Sequence, residues 1–174
     1  MKKIIFPIAI VATMLLSAFT TINSVSWKIA DGYSVKFTSD DPSGVFTSMK
    51  GDISFDANDL ANSKFNVTID VNSINMGNGM KNTKAKNADW FDVEKYPTIT
   101  FTSSSISKSS TGTYEATGTL NMKGVQKQIT IPFNFTNNTF TGSFNINRSD
   151  YNVGTPGGHA SSVLKIDVSV PVTK

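Results

Sequence analysis

Residues 128–147 read QITIPFNFTNNTFTGSFNIN. Ile129, Ile131, Phe133 and Phe135 alternate with Gln128, Thr130 and Asn134, and after the Asn137-Asn138 turn signal Phe140, Phe144 and Ile146 alternate with Thr141, Ser143 and Asn145. A period of two sends successive side chains to opposite faces of a strand, so each run predicts a half-buried β-strand. The short polar turn between them makes the two strands antiparallel neighbours.

The same period extends outward in both directions. Tyr33, Val35 and Phe37 alternate with Ser34, Lys36 and Thr38; Phe65, Val67, Ile69 and Val71 with Lys64, Asn66, Thr68 and Asp70; Ile99 and Phe101 with Thr98, Thr100 and Thr102. Tyr114, Ala116, Gly118 and Leu120 follow the same rule, as do Leu164, Ile166, Val168 and Val170. With one more strand around Lys50 to Phe55 the count is about eight, the number at which a closed barrel just holds side chains or one small ligand. Turn signals at Asp40 to Gly44, Asn58-Asp59, Thr111-Gly112 and Lys123-Gly124 favour an antiparallel meander. Only Met76 to Phe91 breaks the rhythm: Gly77-Asn78-Gly79 reads as a turn, and Lys81, Lys84, Ala85, Ala88 and Asp89 predict one or two helical turns. The expected fold is all-β, a lipocalin-like eight-stranded antiparallel barrel with a short helix closing one end.

Residues 1–23 carry a different pattern. Met1-Lys2-Lys3 precedes a nearly unbroken apolar run from Ile4 to Leu16 and then Ser17-Ala18-Phe19. This is the layout of a secretory signal peptide, and the run is short for a membrane span. The expectation is an exported protein, periplasmic or extracellular, with residues 24–174 as its one barrel domain. Removing Lys2 and Lys3 takes the 16 basic residues to 14, against 13 acids. With Arg148 the only arginine, the chain lacks the positive excess that nucleic-acid binding draws on. There is no cysteine, so stability rests on packing, and thiol nucleophiles and thiolate metal sites are excluded.

The inventory for catalysis is thin, and no catalytic residue, metal or cofactor is predicted. One histidine, His159, lies in a glycine-rich loop, where a solvated role outweighs a ligand gate or weak metal contact. Asp89, Asp92 and Glu94 cluster beside Trp90-Phe91, but close in sequence, which suits capping and surface pairing better than paired acids across a cleft. Arg148 ends a strand with Asp150 two positions on; an ion pair with Asp150 or with Asp89 and Asp92 is the favoured reading, and contact with an anionic head group the other. Lys81, Lys84 and Lys86 are either a solvated helix face or cations at the barrel mouth.

What is distinctive is the inward face. Val35, Phe37, Phe55, Phe65, Val67, Ile69, Phe101, Leu120, Ile131, Phe133, Phe144 and Ile146 are the candidate lining of an interior cavity, with Arg148, Lys81 and Lys84 as head-group candidates. The same residues serve a filled core, which is the favoured reading of the residues alone because inward apolar side chains are needed to fold at all; alternation itself does not choose between them. An outward apolar face, as in a membrane barrel, is the third arrangement. Against it, 2 Trp and 4 Tyr are too few for aromatic girdles beside 12 Phe that sit mostly within the strands.

Several segments resemble the YceI-like polyisoprenoid-binding proteins. Residues 90–101, WFDVEKYPTITF, resemble the family's FFDVxKYPxxxF. Gly51 to Asp56 resembles GxIxFD, Gly118 to Val125 resembles GxLTxxGV, and Ile146 to Tyr151 resembles xNRSDF, with Val71-Asn72-Ser73-Ile74 in the right order between them. The resemblance spans roughly Val25 to Lys174. It implies an exported, non-enzymatic binding or carrier protein holding a long isoprenoid chain, such as a polyprenyl phosphate or quinone tail, and it favours an open cavity over a filled core. Histidines that family members carry near the first strand and before FFD are replaced here by Asp31 to Ser34 and Lys84 to Asp89, so any head-group contact they make is absent.

Overall fold

The hairpin expected over residues 128–147 is present in the computed structural model, which describes residues 25–155 and 157–174. The proposed signal segment, residues 1–23, lies outside the described residues. Strand β9, Val125–Thr136, pairs antiparallel with β10, Thr139–Asn147, across Asn137 and Asn138. Both turn residues have positive φ, 51° and 55°, the twist that suits a two-residue hairpin. The turn between β8, Tyr114–Met122, and β9 repeats this with Lys123 at 48° and Gly124 at 76°.

The remaining strands are β1 (Ser26–Ile29), β2 (Ser34–Thr38), β3 (Gly44–Phe46), β4 (Met49–Ser54), β5 (Lys64–Asp70), β6 (Ile74–Asn75), β7 (Thr98–Lys108) and β11 (Val163–Thr173). Neighbours run β1-β4-β5-β7-β8-β9-β10-β11, and β11 returns to β1 through Lys28↔Thr173 and Ile29↔Val172, which closes the ring. Strands β2, β3 and β6 continue the staves of β1, β4 and β5 toward one rim, with β2 on β11, β3 on β2 and β6 on β3. The result is a closed eight-stranded antiparallel meander, three of whose staves are broken once.

Apolar side chains of these strands point inward and the outer faces are polar. Among the described residues the only large hydrophobic side chains left exposed are Met80 and Val163, so the barrel has no outward apolar band of the kind a membrane barrel needs.

The two ends are closed differently. At the end bearing the β4–β5, β7–β8 and β9–β10 connections, rings pack into a plug: Phe55 sits 5.2 Å from Phe135 and 5.3 Å from Phe140, and Phe135 lies 4.4 Å from Phe140. Trp27 edges onto Phe135 at 5.2 Å and donates its indole N–H to the Phe55 carbonyl. At the other end lies helix α1, Gly79–Lys86. The Gly77-Asn78-Gly79 turn is its start: the Asn78 side chain accepts from the amides of Met80 and Lys81, a cap for otherwise orphaned donors. Ala85 is the helix's buried anchor, and the chain after it folds back with the Phe91 amide on the Ala85 carbonyl.

Candidate functional site

Between plug and helix the barrel is hollow. An inner cavity of about 170 Å³ occupies its middle, with a wholly apolar wall. All but two of the expected lining residues reach it: Val35, Phe65, Val67, Ile69, Phe101, Leu120, Ile131, Phe133, Phe144 and Ile146. Phe55 does not, because it follows the end of β4 and is buried in the aromatic plug. Phe37 does not either; near the opposite rim, it borders a second space of about 60 Å³. Of the two arrangements the sequence left open, each holds at one level: the barrel is filled at the plug and open above it.

The second space is a throat. It shares Phe46, Ile99, Met122, Ile146 and Ile166 with the inner cavity, and Pro42, Met76, Ala85, Trp90 and Arg148 with a vestibule of about 430 Å³ beyond it. The vestibule is made by Asp41-Pro42 from the β2–β3 connection, Met76 ahead of α1, Lys81, Lys84 and Ala85 from α1, Trp90 after it, Arg148, and Thr155 and Gly158 to Ala160 from the β10–β11 connection. Lys81 and Lys84 stand one turn apart on the same helix face. His159 is an exposed member of the wall, as a loop histidine was expected to be.

Arg148 corrects an expectation. Its guanidinium pairs with none of Asp150, Asp89 or Asp92. Nε donates to the Ser161 carbonyl at 2.8 Å, Nη1 to Val153 at 2.5 Å and Nη2 to Ala160 at 2.8 Å. The plane lies over the Trp90 ring, 5.0 Å from its centroid. Only 3% of the residue is exposed, and burial pulls its pKa below the ordinary arginine value while leaving it a cation. Asp150 instead meets Lys127 at 3.4 Å. The reason is local: a 3-10 turn over Arg148–Tyr151 starts where the strand stops, so residues two apart no longer share a face.

The segment from α1 to Glu94, the lid of the barrel, is held through its carbonyls rather than by its acids. Asp89 and Asp92 enter no ion pair among the described residues, and neither does Glu94; the Asp89 carbonyl accepts the Gly154 amide at 2.9 Å. Lys123 donates to the carbonyls of Ala88 and Asn152, both at 2.8 Å, linking the β8–β9 turn to the lid and to the loop after Arg148. Lys81 reaches Asp41 at 3.2 Å across the vestibule.

Residues of the site outside the expected lining fall into two groups. Phe46, Met49, Met122 and Phe140 lie on or beside strands, and their place on the wall follows from the register. Pro42, Met76 and Trp90 come from loops, where no period marks a residue as inward.

The family model described as YceI-like domain matches residues 16–173. Burkholderia cenocepacia BcnA has a similar structure, with a TM-score of 0.76 and 30% identity covering 82% of this chain and 96% of that one. A UPF0312 protein of Vibrio vulnificus is 29% identical over 137 residues, 73% of this chain and 71% of the relative. A polyisoprenoid binding domain from Saccharophagus degradans shares the fold at 16% identity, with a TM-score of 0.60 over 84% of this chain and 97% of that domain.

Proposed function

This chain belongs to the YceI-like domain family, and from that membership we propose that it is an exported, non-enzymatic carrier or sequestering protein, periplasmic or extracellular. Its ligand is an isoprenoid-type lipid, such as a polyprenyl phosphate or the tail of a quinone, held inside the barrel. The observation that carries the reading is the row of adjoining spaces, an apolar inner cavity, a throat that shares wall residues with it, and a vestibule bearing Lys81, Lys84 and Arg148. A cavity of this kind binds by expelling water from hydrocarbon, at about 25 cal/mol per Å² of surface covered.

The inner wall carries no ionisable side chain, so a guest there meets no group to move a proton or attack it, which supports carriage over catalysis. The ligand class is that of the Saccharophagus domain, brought to this chain as a proposal on the chemistry of its own cavity. Export is supported by the basic start and apolar run of residues 1–19.

Size sets how the ligand sits. The inner cavity and throat together stay below the roughly 300–1,000 Å³ of small-molecule sites, and the vestibule brings the three spaces into that range. A long tail therefore fills all three and displaces side chains around the throat, with its polar end outward.

Native mass spectrometry of the protein purified from its own host, followed by organic extraction, tests this. The expected result is an apolar molecule carried in near-stoichiometric amount. Folded protein that releases no such molecule, and takes none up when offered isoprenoid lipids, refutes carriage.

A further inference from the structure

Met80 and Val163, the large hydrophobic side chains left exposed among the described residues, are 81% and 51% exposed. Single exposed apolar residues are ordinary on a folded surface, but these two stand on one rim of the barrel. Met80 lies in the first turn of α1 beside Lys81, a residue of the vestibule wall. Val163 starts β11 opposite Asn147, the neighbour of Arg148 in the same wall.

The helix is built to hold Met80 outward. At 3.6 residues per turn, Met80, Lys84 and Lys81 share an arc of about 100°, and all three are exposed. Toward the protein, Ala85 is buried and the Asn82 side chain accepts the Met76 amide. The eight residues of α1 include three lysines and no acid. Around the vestibule Lys81, Lys84 and Arg148 stand against one carboxylate, Asp41. The outer side of the rim is thus an apolar tip set among cations, the pattern that suits the interface of an anionic bilayer.

We propose that the protein docks rim-first on the surface of an anionic phospholipid membrane. Met80 enters the headgroup region, and Lys81 and Lys84 lie against the lipid phosphates. The contact is peripheral, because the outer wall has no apolar band to meet the hydrocarbon. This goes beyond the carrier reading: the partner is the bilayer surface, met by the outside of the rim, and not a molecule inside the barrel.

The full chain contains no cysteine, so Thr83→Cys beside Met80 and Ser110→Cys in the β7–β8 connection at the closed end each take one environment-sensitive fluorophore. Each labelled protein is titrated with vesicles of equal parts phosphatidylglycerol and phosphatidylcholine, and with phosphatidylcholine alone. The label at 83 is expected to shift to the blue on the anionic vesicles, with an affinity roughly tenfold or more above that for the neutral ones and falling with added salt. The label at 110 should not respond. In the Thr83→Cys background, Lys81→Gln/Lys84→Gln should weaken binding about tenfold and Met80→Ser about fivefold. Met80 lines none of the three spaces, so Met80→Ser should leave uptake of a dissolved apolar probe as in the parent. The apolar run of residues 4–16 is common to parent and variants, so the difference between them reads the rim.

Equal affinity for the two vesicle types overturns the anionic partner. A response at 110 as large as that at 83 overturns the orientation, and undiminished binding in both rim variants overturns the surface. No response on either vesicle overturns docking on lipid altogether. The carrier reading is judged separately, by uptake of isoprenoid without vesicles.

Discussion

Filling the barrel should make the protein more stable and less able to bind. Ala116 is 1% exposed and lines the inner cavity from the middle of β8, so Ala116→Ile adds three carbons toward the void. At about 0.8 kcal/mol per buried methylene this is worth about 2 kcal/mol, and a β-branched residue suits the strand. For a domain of this length the gain corresponds to a rise in Tm of about 4–8 °C. The room is there: an unfilled space of about 170 Å³ forgoes about 4 kcal/mol at roughly 24 cal/mol per Å³. Urea unfolding of ligand-free protein should show a higher midpoint at unchanged slope, and uptake of an apolar fluorescent probe should weaken about tenfold. In a solid core the same change overpacks and costs roughly 1–3 kcal/mol. A lower midpoint with undiminished uptake would refute the hollow barrel.

Gly154 holds φ at +83°, and a Cβ there would fall on Nη1 of Arg148, so Gly154→Ala should cost about 2–3 kcal/mol in urea unfolding through backbone strain and a displaced guanidinium. Lys123→Met removes both bonds to the Ala88 and Asn152 carbonyls; about 1 kcal/mol of stability should go, with faster amide exchange over residues 88–92 than in the barrel strands. Burial, and secondarily the charge of Asp150, raises the Tyr151 pKa above its ordinary value. The neutral phenol is therefore favoured in the folded state, so its contribution is complete below the ordinary tyrosine pKa near 10 and is lost as pH rises past it. Denaturation midpoints measured across alkaline pH should fall less steeply in Tyr151→Phe than in the parent.

The staves of the barrel were legible wherever period and turn agreed. Asn137-Asn138 and Lys123-Gly124 tolerate the positive φ that a tight hairpin needs, and the flanking alternation settled which side faces in. Breaks in the first three staves were not legible, because they arise between strands: β1 meets β4 at Ser26↔Ser54, while β2 meets β3 one residue out of that register at Val35↔Phe46. Arg148 misled for a related reason. Reading Asp150 onto its face assumes a strand continuing past Asn147, and the chain turns there instead. Trp90, Pro42 and Met76 belong to the mouth only because three separate connections converge on it, which no local pattern records.

Whether such a barrel is a core or a container depends on side-chain volume at each level, not on the polarity pattern that builds the walls. Eight strands enclose an interior that ordinary side chains just fill. At the closed end the positions go to rings, and Phe55, Phe135 and Phe140 leave no space between them. Midway the inward positions include Val35, Val67, Ala116 and Val168. The alternation is unchanged from one level to the next; the volume it delivers is not, and the shortfall is the cavity. Replacing the inward valines by phenylalanine would preserve every pattern from which the fold was read and leave no room for the proposed ligand.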